Sequence, residues 1–288
     1  MLNSIKGGIK IRLNFVKVNP TENMTIFITD PLPRHLYKQI AKNVMKYGNL
    51  CAEQVGFIEK PSLENGEGCM KLHMMGDEFC ANATRALAAL LVYRQYPAIK
   101  QLEGKYIVPL EVSGSQDIIK CEVEITEEIN RFISTASIPL HKGLYDFSIE
   151  FKGKLLEGTL VEFPGILHLV IKDQEIDDKE EFFREVKNKL YHLEWEALGV
   201  MFYDEAASYM EPLVYVKATD SLFWERGCGS GTAAIGVALS HQKQGSIDMM
   251  VNQPGGSLQI TINFFENKVT NILLKGSVEI VAEGVVYT

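Results

Sequence analysis

The chain has 288 residues, 46% hydrophobic and 23% charged, with a formal net charge of −8. That length suits two domains of ordinary size, and an acidic balance with no basic stripe argues against a nucleic-acid partner. The longest apolar run, Ala86 to Tyr93, falls far short of the roughly 18–20 residues needed to cross a membrane, so a soluble protein without a membrane segment is expected.

Met1–Arg12 carries lysines and glycines but no apolar core, and is read as a flexible extension rather than a secretory leader. Strands are expected at Arg12–Val18, Met24–Thr29, Val55–Glu59, Lys71–Met75, Tyr106–Val112 and Ile118–Ile125. Further strands are expected at Phe132–Ile138, Leu155–Phe163, His168–Lys172, Gly199–Tyr203, Leu213–Ala218 and Leu222–Glu225. β-branched and aromatic residues, alternation and Gly or Asn-Gly punctuation support them. The segment Ser257–Tyr287 reads as three strands broken at Glu266-Asn267-Lys268 and Lys275-Gly276-Ser277. Helices are few. His35–Tyr47 is amphipathic through Leu36, Ile40 and Val44, and Lys179–Leu193 through Phe182, Phe183, Val186 and Leu190. Ala81–Tyr93 and Gly229–Leu239 are small and apolar all round, so each should be enclosed by protein.

These last two helices belong to an internal repeat. Cys80-Ala81-Asn82-Ala83-Thr84 aligns with Cys228-Gly229-Ser230-Gly231-Thr232, and one offset, about half the chain, relates both the cysteines and the threonines. The duplication predicts an α+β fold of two pseudo-symmetric lobes, each a mostly antiparallel sheet wrapped around one central helix. Residues 12–130 with 276–288 form one lobe and 131–275 the other. The remaining cysteines, Cys51, Cys69 and Cys121, are read as small buried hydrophobes. Five cysteines without a CxxC pair disfavour a disulfide framework and a zinc site, which points to the cytoplasm and to no metal.

A cysteine at a helix N-terminus faces unpaired backbone N–H groups and the positive end of the dipole, and both favour thiolate. The small residues that follow, Ala81 and Asn82 in one copy and Gly229 and Ser230 in the other, let an anion approach the backbone. An α-carboxylate is the natural ligand. Cys80 and Cys228 across a cleft would serve as acid and base on the two faces of one carbon. Charge developing on the carboxylate as the α-proton leaves would be met by preorganised N–H donors.

At these residues the chain resembles the cofactor-independent two-cysteine racemases and epimerases typified by diaminopimelate epimerase. Phe15-Val16-Lys17-Val18-Asn19-Pro20-Thr21-Glu22-Asn23 is similar to that family's opening strand and loop, Glu78-Phe79-Cys80-Ala81-Asn82-Ala83-Thr84-Arg85 to its first cysteine motif, and Glu225-Arg226 with Cys228-Gly229-Ser230-Gly231 to its second. Gln253-Pro254-Gly255-Gly256 is similar to its late Pro-Gly-Gly turn. The resemblance implies substrate contacts from Asn23 and His168, no cofactor and a homodimer. Met74, Ile166 and Ala197 stand near the places of the asparagines that hold the far end of diaminopimelate, so that substrate is not expected.

Asn19-Pro20 through Thr25, Cys51 through Glu59 and Trp224 through Thr232 resemble the histidine-racemase branch that supplies D-histidine for opine-type metallophores. That branch implies interconversion of L- and D-histidine without pyridoxal phosphate, with Glu53, Gln54 and Glu225 meeting the amine or imidazole. The alternatives are a racemase for another amino acid, proline-type or broad in specificity, and a non-catalytic amino-acid-binding protein.

Overall fold

The computed structural model describes residues 3–4, 9–62, 68–97, 99–173, 176–217 and 220–288. Ala218, at the end of one expected strand, and part of the Met1–Arg12 extension lie outside them. The protein is a sheet-dominated α+β fold with few helices. It divides into two compact units, Met1–Ala136 with Gly276–Thr288, and Ser137–Lys275.

The first unit begins with a short pair, β1 (Asn3–Ser4) and β2 (Ile9–Lys10), then β3 (Arg12–Asn19) and β4 (Thr25–Ile28). A single 3₁₀ turn at Arg34–Leu36 leads into helix α1 (Tyr37–Val44). The expected helix is thus shorter at both ends, with no side-chain cap at its start. Then follow β5 (Gln54–Glu59), β6 (Met70–Met74), helix α2 (Ala81–Tyr93), β7 (Lys100–Leu102), β8 (Lys105–Val112), β9 (Ile119–Ile125) and β10 (Arg131–Ser137). The second unit holds β11 (Gly143–Phe151), β12 (Lys154–Phe163), β13 (Ile166–Lys172), helix α3 (Lys179–Lys189), β14 (Ala197–Asp204), β15 (Tyr209–Val216), β16 (Ser221–Trp224), helix α4 (Gly229–Lys243), β17 (Ile247–Gln253) and β18 (Gly256–Phe265). The chain closes with β19 (Lys268–Tyr287).

The order of strand pairings is the same in each unit. From β19 to β3, β4, β5, β6, β8, β9 and β10 the neighbours run antiparallel, antiparallel, parallel, antiparallel, parallel, antiparallel, antiparallel. From β11 to β12, β13, β14, β15, β17, β18 and β19 the series is identical. Each parallel step needs a crossover. Helices α1 and α3 supply the first, and α2 and α4 the second.

Helix α2 is buried from Ala81 to Val92 and packs on β4, β8 and β9. Helix α4 packs on β12, β13, β14, β17 and β18. Small apolar residues on every side let the sheets approach, and a fully buried leucine such as Leu87 or Leu90 contributes about 1.5–3 kcal/mol. Both helices stop the same way. Gln95 and Gln244 take left-handed φ of 51°, and the next amide bonds back, Tyr96 N to Leu91 O and Gly245 N to Ser240 O.

Three expectations are corrected. Lys275-Gly276-Ser277 does not break the last strand. β19 runs through it and changes partner there, from β18 up to Lys275 to β3 from Glu279. Helix α3 ends at Lys189, because the chain turns where Trp195 Nε1 donates to Leu190 O. Cys51 is exposed, in a left-handed turn at φ 50°, whereas Cys69 and Cys121 are buried. β1, β2, β7, β11 and β17 were not legible from pattern, β1 and β2 lying in the stretch read as a flexible extension. β17 (IDMMVNQ) has few β-branched or aromatic residues, and its pairing with β18 decides its conformation.

Candidate active site

Cys80 and Cys228 are the N-cap residues of α2 and α4. Both are extended, at φ −122°, ψ 107° and φ −109°, ψ 107°. Each sulfur accepts a hydrogen bond from the amide three residues on, Ala83 N at 3.4 Å and Gly231 N at 3.3 Å. Each cysteine carbonyl accepts from a threonine hydroxyl at 2.7 Å, Thr84 and Thr232. The amides of Ala81, Asn82, Gly229 and Ser230 lie in the same first turns, where a helix supplies no acceptor. The carbonyl two residues before each cysteine is also held by a later turn, the one after β8 in the first unit and the one after β17 in the second. Ser113 Oγ donates to Glu78 O at 2.9 Å, and Gly255 N donates to Arg226 O at 2.7 Å.

Around Cys80 the turn after β8 comes very close. A Cβ on Gly114 (φ 75°) would sit 2.3 Å from Phe79 N, so only glycine fits. Asp77, three residues before Cys80, is turned away with φ 66° and meets His73 Nε2 at 2.6 Å. Cys80 itself is half-buried. In the same unit, Asn23 is buried and donates from Nδ2 to Glu53 Oε2 at 2.8 Å, while its Oδ1 has no partner. Left-handed Thr21 and Glu22 make the loop that places it, and the Glu53 and Gln54 amides both bond to Met24 O. The structure therefore joins two predicted residues, Asn23 and Glu53, with Gln54 beside them at the start of β5.

Around Cys228 the surroundings are tighter. Its amide donates to Gln253 Oε1 at 2.6 Å, Gln253 Nε2 donates to Thr232 Oγ1 at 2.9 Å, and Ser230 Oγ lies 3.7 Å from the sulfur. Burial pushes the Cys228 thiol well above its ordinary value. Contact with the Glu225 carboxylate raises it further, against weaker pulls from the Gly231 amide and Ser230. Glu225 is itself raised to about 7 by burial, partly offset by its contact with Cys228. Thiol and carboxyl form a coupled pair that shares its protons. A cleft of about 350 Å³ opens beside it, lined by Lys179, Glu211, Pro212, Trp224, Glu225, Arg226 and Pro254.

His168 is fully buried on β13, and neither ring nitrogen has a partner. Burial lowers its pKa to about 3, so the ring is neutral. Its Nδ1 would lie 2.3 Å from a Cβ on Gly199, and Met201 stands between this region and the helix start, its Sδ 2.1 Å from where a Gly231 Cβ would be. A methyl at Gly231, whose repeat partner is Ala83, would therefore require the flexible Met201 thioether to shift.

Sequence reasoning missed Met201, Gln253 and Arg85. Gln253 and Arg85 each lay at one end of a motif without being given a task. Met201 carries no sequence signal beyond an ordinary strand. Among the described residues no cluster of three or more His, Cys, Asp or Glu is placed to hold a metal ion, and no helix is long and apolar enough to cross a membrane.

The fold is that of structurally characterised epimerases and racemases. A hydroxyproline epimerase from Agrobacterium vitis, with bound trans-4-hydroxy-L-proline, matches with a TM-score of 0.72 at 10% identity, covering 96% of this chain and 92% of that one. A probable proline racemase from Agrobacterium radiobacter matches at 0.68 and 11% identity, covering 94% and 92%. Within that class the sequence is more specific. The family described as histidine racemase CntK N-terminal domain matches residues 12–287, and the chain belongs to it. A histidine racemase from Fusobacterium nucleatum subsp. nucleatum is 35% identical over 280 residues, 96% of this chain and 97% of the relative. One from Staphylococcus aureus is 29% identical over 278 residues, 96% and 97% of the two chains.

Proposed function

We propose that the chain interconverts L- and D-histidine, with Cys80 and Cys228 as the acid–base pair. Membership of the histidine racemase family supports the substrate, and the matched cysteine caps support the mechanism. The two units act as pseudo-symmetric lobes, each contributing one thiol. One sulfur, as thiolate, takes the α-hydrogen as a proton, leaving the C–H electron pair delocalised into the carboxylate. The other gives its S–H proton to the opposite face of the carbon. No net oxidation occurs, and the two sulfurs have exchanged protonation states.

The first-turn amides at Ala81, Asn82, Gly229 and Ser230 receive the carboxylate as its charge grows. The unpaired Asn23 Oδ1 accepts from the substrate amine, with Glu53 and Gln54 beside it. Glu225 faces the imidazole or amine, and neutral His168 forms part of the wall behind Cys228. The family resemblance carries the rest of the assignment, a cytoplasmic homodimer working without pyridoxal phosphate or metal.

Incubation in D₂O with single L-amino acids tests this directly. Histidine should gain α-deuterium and lose chirality. Alanine and leucine should be rejected, because each buried polar group left unpaired costs about 1–3 kcal/mol. Equal turnover of alanine, proline or diaminopimelate would overturn the substrate, and no α-exchange with any of them would overturn the reaction.

A further inference from the structure

Arg85 is the bulkiest fully buried side chain among the described residues, and the reaction above gives it no task. Its Nη2 donates to Asn82 Oδ1 at 2.8 Å, while Nε and Nη1, also buried, have no hydrogen-bond partner. Asn82 lies one helical turn back, and helical side chains lean toward the N-terminus. The guanidinium therefore sits beside the first turn of α2, where Cys80 Sγ caps the Ala83 amide. A buried cation without an anion is expensive to keep.

The neighbouring charges are accounted for elsewhere. Of the strands packed on α2, β4 carries no ionisable side chain. On β8, Glu111 is engaged by Lys71 and the Ser62 amide, Lys105 pairs with Glu122 and Glu124 of β9, and Tyr106 is half-buried. On β9, Lys120 is exposed and Cys121 faces inward, its thiol pushed up by burial and so kept neutral. Before the helix, Asp77 is drawn to His73, and Glu78 Oε2 lies over Gly76. Burial lowers Arg85 to about 10, and Cys80 is the foremost group acting against that, ahead of Cys121. The Cys228 centre has the opposite character, with the Glu225 carboxyl against its sulfur and Ala233 at the position matching Arg85.

The geometry points to Arg85 as the buried counter-ion that keeps Cys80 ionised in the free enzyme, making Cys80 the resting base and Cys228 the resting acid. This rests on the two-cysteine reading, and Arg85 is a positioning residue that acts through Cys80. In this form the enzyme takes a proton only from the enantiomer whose α-hydrogen faces Cys80. The other enantiomer needs the proton-swapped form.

Iodoacetamide labelling of the full chain over a pH series, read by peptide mass spectrometry, reports each thiol separately. Cys80 should label with a midpoint about one pH unit or more below that of Cys228. Arg85→Met should raise the Cys80 midpoint by a similar amount and leave Cys228 unmoved, and Arg85→Lys should restore most of the shift. Equal or reversed midpoints in the unaltered protein would overturn the proposal, as would an Arg85→Met profile for Cys80 that does not move. If Arg85→Met does not fold, the wild-type order and the Arg85→Lys profile still decide. Ordered midpoints without α-deuteration would sink the racemase reading and leave this assignment standing.

Discussion

The start of α2 and the start of α4 share a backbone and differ in charge. Both have an extended cysteine cap, a sulfur accepting from the third amide and a threonine hydroxyl on the cysteine carbonyl. Yet one is half-buried beside an arginine, and the other is buried beside a glutamate. The acidic residue three positions before each cysteine shows how this arose. Glu225 reaches the sulfur of its cysteine, whereas Asp77 takes a left-handed turn and binds His73. Duplication supplied a cradle, and side chains outside the cradle gave each thiol its own protonation bias.

The comparison breaks most sharply at the sulfurs. Cys80→Ser and Cys228→Ser should each lower racemisation by about 10²–10⁴-fold or more, since a hydroxyl is a poor base at neutral pH. Each variant should still exchange the α-hydrogen of one enantiomer in D₂O, and the favoured enantiomer should differ between them. Chiral chromatography with NMR separates the two readouts, and near wild-type racemisation by either variant would end the two-base mechanism.

A smaller effect should follow from the clamp at Cys228. Gln253→Ala leaves the buried Cys228 amide and the Thr232 hydroxyl each short of a partner, at about 1–3 kcal/mol of stability. Urea unfolding should show this loss, accompanied by a fall in kcat. An unchanged midpoint would mean that the cap holds α4 without its side-chain brace.

The effect smallest at neutral pH is a pH dependence confined to the second unit. His168 stays neutral when folded down to about pH 3, while the unfolded chain takes up its proton below about 6.5. The unfolded state therefore binds more protons in that window. This contribution is at its best above pH 6.5 and weakens by about 1.4 kcal/mol per unit as pH falls. His168→Gln should flatten the acid limb of a urea-midpoint profile. An identical limb would assign acid lability elsewhere.

Much of this was readable in advance where a local rule and the global fold agree. The α2 boundaries followed from an apolar run after a cysteine, and the repeated Cys-x-x-x-Thr marked both caps. What was not readable depends on distant partners. Gly276 resembled a break because a glycine between polar residues usually is one, but β19 passes through it by exchanging β18 for β3. Arg85 lay inside a helix whose other side chains are mostly small or apolar, and no local pattern signals a buried cation. Met201 fills the space beside Gly231 where the first motif has alanine, a contact that arrives from another strand.

The partner exchange along β19 also has a consequence for the order in which the chain acquires its structure. β3 pairs on one side with the next strand, β4, but its other antiparallel neighbour is Glu279–Tyr287, so during synthesis that edge stays open until almost every other strand of this chain has been made. The strands β11 to β18 meet little such delay, since they pair in series with one another and end on the first part of β19. The nascent protein therefore carries an unpaired strand edge through most of translation, the kind of surface that invites association with other chains. Arg12, Asn14 and Lys17 interrupt the apolar residues of β3, and charged or polar side chains on an open strand discourage such pairing.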